Sequence, residues 1–108
     1  MLRRNGKNKM PKTLKAFAAT YPDPWRAYQN LRDTCDQCGP LPVKMRELIK
    51  IGVEVARNRH GGLAAHIARA RKVGASPAEI RHAIIIATPL IGLPDVLDAY
   101  VVSEQHLK

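Results

Sequence analysis

One residue of this chain that could do chemistry is a histidine that lies in an apolar helix face. If the segment after Gly62 is helical, His66 falls inside an apolar stripe formed by Leu63, Ile67, Ala70 and Val73. A buried histidine often does no more than donate a hydrogen bond to a neighbour. The same imidazole, held by an orienting partner, can exchange a proton near neutral pH. The stripe by itself leaves both interpretations open.

The two cysteines form a C-x-x-C pair, Cys35 and Cys38, within the stretch TCDQCGP. Such a pair can be a redox dithiol, a local disulfide, half of a zinc site completed by a second subunit, or two inert thiols. Reactive pairs normally lie at a helix N-terminus, where the helix dipole stabilises the thiolate. This pair is predicted at a helix C-terminus beside Asp33 and Asp36, and both features disfavour a thiolate. We therefore expect slow thiols.

A metal centre is not predicted. Glu79 and His82 form an E-x-x-H pair at helical spacing. A single pair of this kind is too common to indicate a di-iron ligand set, which needs several such carboxylates and histidines. We expect neither a metal nor a cofactor.

The elements that must position these side chains are predicted to be helices. No segment shows the alternating pattern of a strand, and with 5% aromatic residues the core must be built from Ile, Val, Leu and Ala. At this length the pattern predicts an all-α fold of five or six short helices in one domain, residues 12–108. The predicted helices are 12–20, about 24–35, about 42–58, one from Gly62 to a C-terminal Gly74, one that starts at Pro77, and one that starts at Pro94.

Several local sequence signals indicate where these helices begin and which face is buried. Asp23 is a plausible N-cap, and Ser76 with Glu79 forms a capping box ahead of the fifth helix. In the third helix the apolar positions predict a buried face, with Glu47 near the polar edge and Glu54 on the opposite side. The members of that face are Met45, Leu48, Ile49, Gly52, Val53 and Ala56, widened by Ile51 and Val55.

The formal charge of +9 is concentrated at the N-terminus. The first fifteen residues hold six basic side chains and no acidic one. We predict a basic, disordered tail over residues 1–11, which can bind nucleic acid only nonspecifically. No apolar run approaches the length of a membrane span, and the N-terminus lacks the apolar region of a secretory signal. These features favour a soluble, cytoplasmic protein with no membrane partner.

Apolar surface exceeds what one small core can cover. The segment EIRHAIIIAT is apolar almost all round, so the fifth helix is predicted to be central, and the segment DVLDAYVVS adds further apolar surface. Leftover apolar faces usually meet another subunit. We therefore expect a homo-oligomer.

The order of these segments resembles the carboxymuconolactone decarboxylase family, which includes the alkyl hydroperoxidase D-like proteins. The resemblance runs from Gly39 to Tyr100 and rests on three stretches. They are LPVKMRELI, the helical histidine followed by ARKVGAS and an acidic capping residue, and the late GLP. It implies an alkyl hydroperoxidase D-like orthogonal helical bundle that assembles into trimers or hexamers.

The resemblance also implies a site. The hydroperoxidase-like members carry a glutamate and a C-x-x-C-x-x-x-H motif, and aligning their histidine with His66 places their glutamate on Glu47. Their cysteines then fall on Arg59 and Gly62, so thiol chemistry is excluded at that position. The decarboxylase-like members lack the cysteines and keep the histidine. The resemblance therefore implies acid–base catalysis by His66 and Glu47 on a small carboxylate. Candidates for holding that substrate are Arg46, Arg59 and His60, with Arg57 beside them.

These sequence features are compatible with three alternative functions. The first is cofactor-free decarboxylation at the His66 and Glu47 site. The second is a thiol-dependent peroxidase or disulfide reductase, with peroxiredoxin-like activity at Cys35 and Cys38. The third is a non-catalytic oligomeric scaffold whose basic tail binds a polyanion.

Overall fold

The computed structural model describes residues 11–107, which form two compact units, residues 11–41 and 42–107. The described residues contain helices and no strand, so the all-α prediction is confirmed. Six helices have nine residues or more, and a four-residue helix is added between the last two. The assignment of residues 12–108 to one domain stays a prediction. The helices are α1 Lys12–Thr20, α2 Pro22–Gln37, α3 Val43–Ala56, α4 His60–Lys72, α5 Pro77–Ile85, α6 Thr88–Ile91 and α7 Leu93–Glu104.

The predicted basic tail lies outside the described residues, except for Pro11, which precedes α1 as its N-cap. Among the helices of residues 11–107, none combines the length and apolar character needed to cross a membrane.

The first unit consists of α1 and α2. α1 has the predicted bounds, but α2 begins two residues earlier than expected. Asp23 was expected to be its N-cap, and that prediction is wrong. Tyr21 takes the N-cap position without a side-chain bond, and Asp23 lies in the first turn, where it pairs with Arg26. The earlier start is possible because proline is tolerated in the first turn of a helix, whose amides lack helical partners.

The core of the second unit is formed by α3, α4, α5 and α7. Its fully buried large side chains are Ile51 from α3, Leu63 and Ile67 from α4, and Ile80 and Ile84 from α5. Smaller residues of α7, chiefly Val96 and Ala99, close the other side. Burial of this kind contributes roughly 1.5–3 kcal/mol for each large aliphatic side chain.

Both helices of the α3–α4 pair end in the same way. After α4, Gly74 has a φ of 99°, and the amide of Ala75 donates to the carbonyl of Ala70 over 2.9 Å. After α3, Asn58 takes the left-handed position with a φ of 56°, and the amide of Arg59 donates to the carbonyl of Glu54 over 3.0 Å. These Schellman ends satisfy the last carbonyls of each helix. α4 begins at His60, two residues before the predicted start.

The buried face of α3 differs from the prediction. Glu47, Ile51 and Val55 are buried, whereas Met45, Ile49 and Val53 are each about half exposed. The helix carries two neighbouring rows of apolar residues. Periodicity alone does not decide which of them packs against α4.

The start of α5 agrees with the sequence. Ser76 Oγ accepts from the Glu79 amide over 3.0 Å, and Glu79 Oε1 accepts from the Ser76 amide over 2.9 Å. The predicted capping box is therefore confirmed. The prediction that α5 is central holds for Ile80 and Ile84 but is wrong for Ile85 and Ile86, which are more than half exposed.

Candidate acid–base site

The imidazole of His66 and the carboxylate of Glu47 meet across the α3–α4 pair. His66 Nδ1 lies 2.8 Å from Glu47 Oε1. The two side chains keep only 15% and 9% of their surface exposed, respectively. Glu47, near the start of α3, contacts His66 at the middle of α4, whereas Glu54, near the end of α3, lies against Gly62 near the start of α4, so the helices run antiparallel here. The structure thus brings together the two residues that the family resemblance paired.

The environment of Glu47 favours its charged form. Burial acts to raise the pKa of Glu47, but the hydrogen bond with His66 and the charges of His66, Lys50 and Arg69 outweigh it, and the net pKa lies below its ordinary value. Lys50 Nζ stands 3.8 Å from the other carboxylate oxygen. An ionised carboxylate can only accept, so the proton of this hydrogen bond belongs to Nδ1 of His66. Nε2 is therefore the ring atom left for a substrate.

The lowered pKa of Glu47 predicts a loss of stability in acid. The folded state holds this carboxylate ionised more firmly than the unfolded chain does. Its contribution to the free energy of unfolding is therefore complete above about pH 4.3, the ordinary value for Glu, and is lost as the pH falls through the lower folded value. We expect urea unfolding to show that Glu47→Gln destabilises the protein at pH 7, and that the difference from wild type shrinks between about pH 5 and pH 3.

Asp98→Asn is the control for this measurement, because Asp98 lies on the exposed side of α7. We expect its difference from wild type to change little over the same range. A Glu47→Gln difference that stays constant down to pH 3 would show that the ionised carboxylate does not stabilise the fold.

A second carboxylate, Glu54, faces the same imidazole. Glu54 Oε2 lies 3.8 Å from His66 Nε2, and only 13% of the side chain is exposed. Its other oxygen, Oε1, is 3.4 Å from Nη1 of Arg57. His66 therefore stands between two carboxylates, with Glu47 on Nδ1 and Glu54 near Nε2.

Gly62 makes room for this second carboxylate. A Cβ atom at Gly62 would lie 2.6 Å from Cδ of Glu54, well inside contact distance. A Cβ at the neighbouring Gly61 would meet no atom within 4 Å. The sequence pattern predicts Glu54 on the side of α3 opposite its apolar face, so this role was missed. The signal that could have found it is the seven-residue spacing between Glu47 and Glu54, which puts both on one face of a helix.

The residues predicted to bind the substrate lie on α3, on α4 and in the turn between these helices. Arg59 is the N-cap of α4 and His60 its first residue, and both are exposed. Arg46 is partly buried on α3, next to Glu47, and already has an interaction partner within the chain. Arg57 reaches the site through Glu54.

Cys35 and Cys38 are free, exposed thiols at the C-terminal end of α2. Cys38 is the C-cap, and its thiol donates to the carbonyl oxygen of Cys35 with an Sγ to O distance of 3.4 Å. The predicted position at a helix C-terminus is confirmed. The dipole there opposes a thiolate.

We expect both thiols to react with iodoacetamide at pH 7 no faster than an ordinary free cysteine, because the helix end offers no stabilisation of the thiolate. The double substitution Cys35→Ser, Cys38→Ser should leave helicity and oligomeric state unchanged. Rapid consumption of peroxide by the wild type that disappears in the double variant would instead identify a thiol reductase.

No group of three or more His, Cys, Asp or Glu side chains within residues 11–107 is arranged to hold a metal ion. Glu79 lies in the capping box, where it also accepts from Lys44 Nζ over 3.1 Å. His82 is exposed on α5.

A comparison with known protein families gives a match over most of the helical region. A sequence model described as "Carboxymuconolactone decarboxylase family" matches residues 22–105, which is most of the chain. The search of curated proteins finds no match.

Proposed function

The chain belongs to the carboxymuconolactone decarboxylase family, and from this premise we propose that its His66 and Glu47 perform cofactor-free acid–base catalysis on a small carboxylate. The observation that supports this most is the 2.8 Å contact between His66 Nδ1 and Glu47 Oε1 in a nearly buried setting. An imidazole oriented by a carboxylate is a common acid–base unit in enzymes.

Glu47 has an orienting role in this proposal. By accepting from Nδ1 it fixes the ring plane and leaves Nε2 to face the substrate. When Nε2 also carries a proton, the ring is an imidazolium whose Nδ1 stays bonded to Glu47. The side chain then presents one transferable proton at a defined atom.

The reaction needs one proton and no redox step. The bond between the carboxylate carbon and its neighbour breaks, CO₂ leaves, and the electron pair moves onto the adjoining unsaturated lactone. Nε2 then gives its proton to the carbon that carries this electron density, and His66 regains a proton from water. Arg59 and His60, at the first turn of α4, would hold the carboxylate groups of the substrate, with Arg46 as a further candidate.

Carboxymuconolactone is the substrate that the family description suggests. We expect the purified protein to release CO₂ from it at pH 7 in the presence of EDTA, with one CO₂ for each lactone consumed. Proton NMR follows the loss of the lactone. A rate no higher than in buffer alone would overturn the proposed decarboxylation.

We also propose that the protein is a homo-oligomer, a trimer or hexamer as the family resemblance implies. Apolar side chains on α5, α6 and α7 stay at least half exposed in the single chain, and Leu90 keeps 86% of its surface. The others are Ile85, Ile86, Leu93, Leu97 and Val101. Large apolar side chains that stay exposed in a single chain are typical of a subunit interface.

We expect light scattering at micromolar concentration to give a mass of several chains for the wild type, and Leu90→Glu to shift it toward the 12.0 kDa monomer, because burying an unpaired charge in an interface is costly. Gln105→Glu adds the same charge at the exposed end of α7 and should leave the assembly intact. A clean monomer mass for the wild type would contradict the proposal.

A further inference from the structure

The space beside His66 Nε2 is bordered by a group that the proposed decarboxylation does not use. Oε2 of Glu54 lies 3.8 Å from Nε2. This gap is longer than a hydrogen bond, so the two atoms do not satisfy each other directly. An atom placed about 2.8 Å from each would complete a triangle with them and contact both.

Glu54 fits in its position because the opposite helix, α4, has a glycine there. The carboxylate lies against the backbone of α4 at Gly62, where any side chain would collide with it. Arg57, which is mostly exposed, is the charged group beside its outer oxygen. Glu54 is therefore held over the first turn of α4 with its inner oxygen toward His66, and both side chains keep a small exposed portion.

We propose that Glu54 is a second acid–base residue of this site, and that Glu54 and His66 together move a proton within an unsaturated lactone. This inference rests on the proposed role of His66 as a proton donor. Loss of CO₂ from the substrate leaves a dienolate, an electron pair spread over the lactone carbonyl and its neighbouring double bond. Removal of a proton from an unsaturated lactone, at the carbon between its double bond and its carbonyl, gives the same kind of species.

The proton shift balances without any other reagent. The Glu54 carboxylate takes a proton from the carbon between the double bond and the lactone carbonyl, and the electron pair of that C–H bond enters the dienolate. The imidazolium then gives the proton on Nε2 to the far end of the dienolate, which forms a new C–H bond. The double bond moves into conjugation with the carbonyl. Glu54 ends protonated and His66 neutral, and the site is restored when Glu54 gives its proton to water and Nε2 takes one up from water.

α-Angelica lactone is a suitable probe, because it has the required double bond and no carboxylate to lose. We expect the wild type to convert it to the conjugated β isomer, and in D₂O to place deuterium on the carbon that bears the methyl group, as followed by NMR. Glu54→Gln should slow this conversion by about 10²-fold or more. The same variant should still decarboxylate carboxymuconolactone, because that reaction needs only the acid.

Two glycine variants test the position of the carboxylate independently. Gly62→Ala should displace Glu54 and slow the isomerisation, whereas Gly61→Ala, where a Cβ meets open space, should leave it unchanged. Asp98→Asn controls for the loss of one negative charge. Thermal unfolding establishes that each variant is folded. If Glu54→Gln fails to fold, the glycine pair carries the test.

The outcomes separate the two proposals. Decarboxylation by a wild type that does not isomerise the probe would overturn the role of Glu54 and leave the proposed function standing. Isomerisation at the wild-type rate by Glu54→Gln, or by Gly62→Ala, would also overturn it. Isomerisation without decarboxylation would remove the proposed decarboxylase activity and support Glu54. A wild type that does neither contradicts both.

Discussion

Replacing His66 with Gln is expected to lower the rate of carboxymuconolactone decarboxylation by about 10²–10⁴-fold, the usual contribution of a positioned acid or base. The side-chain amide of Gln can still donate to Glu47 Oε1, so the α3–α4 contact at this point is kept. An amide does not give up a proton at neutral pH, however, so the variant lacks the donor that Nε2 supplies. The rate constant should fall with little change in KM, because binding of the substrate carboxylates is assigned to other residues.

His82→Gln is the matched control, since His82 is an exposed histidine on α5. It should decarboxylate at the wild-type rate. A His66→Gln variant that retains wild-type activity would show that His66 serves only to bond Glu47 in the fold.

The second large effect concerns the core beneath the site. Leu63 is fully buried on α4, within one turn of His66, and packs in the cluster that includes Ile51 and Ile67. Leu63→Ala removes three carbon atoms from this packed region. We expect a loss of about 2–5 kcal/mol in the free energy of unfolding, measured by urea denaturation. Because α3 and α4 position both carboxylates, a weaker contact between these helices also disturbs the site.

Leu31→Ala makes the same chemical change at a residue that is 61% exposed on α2. Its effect should stay within about 0.5 kcal/mol. Equal losses for the two variants would contradict the assignment of Leu63 to the core.

The parts of the fold that could be predicted from the sequence are those determined by interactions between residues close together in the chain. The capping box of Ser76 and Glu79 and the helix end at Gly74 depend on residues within one turn of each other. They were predicted because the hydrogen bonds that form them are nearly complete within the segment. The bounds of α1 follow in the same way from a short apolar pattern between Pro11 and Tyr21.

The face of α3 was not predicted, since it depends on what packs against the helix. Ile49 and Ile51 have the same hydropathy, yet one is half exposed and the other fully buried. Glu47 and Glu54 turn toward α4 because His66 and the bare backbone at Gly62 receive them there. Only the contact between the two helices decides this, so the pairing of Glu47 with His66 came from the family resemblance, and Glu54 from the structure.

We propose that Nε2 of His66 faces the reacting carbon of a small unsaturated carboxylate. The most direct test is a crystal structure of the protein with the saturated analogue of carboxymuconolactone, which has the same carboxylates but does not stabilise the electron pair left by CO₂ loss. We expect the carbon bearing the scissile carboxylate, or its conjugated neighbour, to lie within about 3.5 Å of Nε2, with Glu47 still bonded to Nδ1. An analogue bound away from α3 and α4, with Nε2 out of its reach, would contradict it.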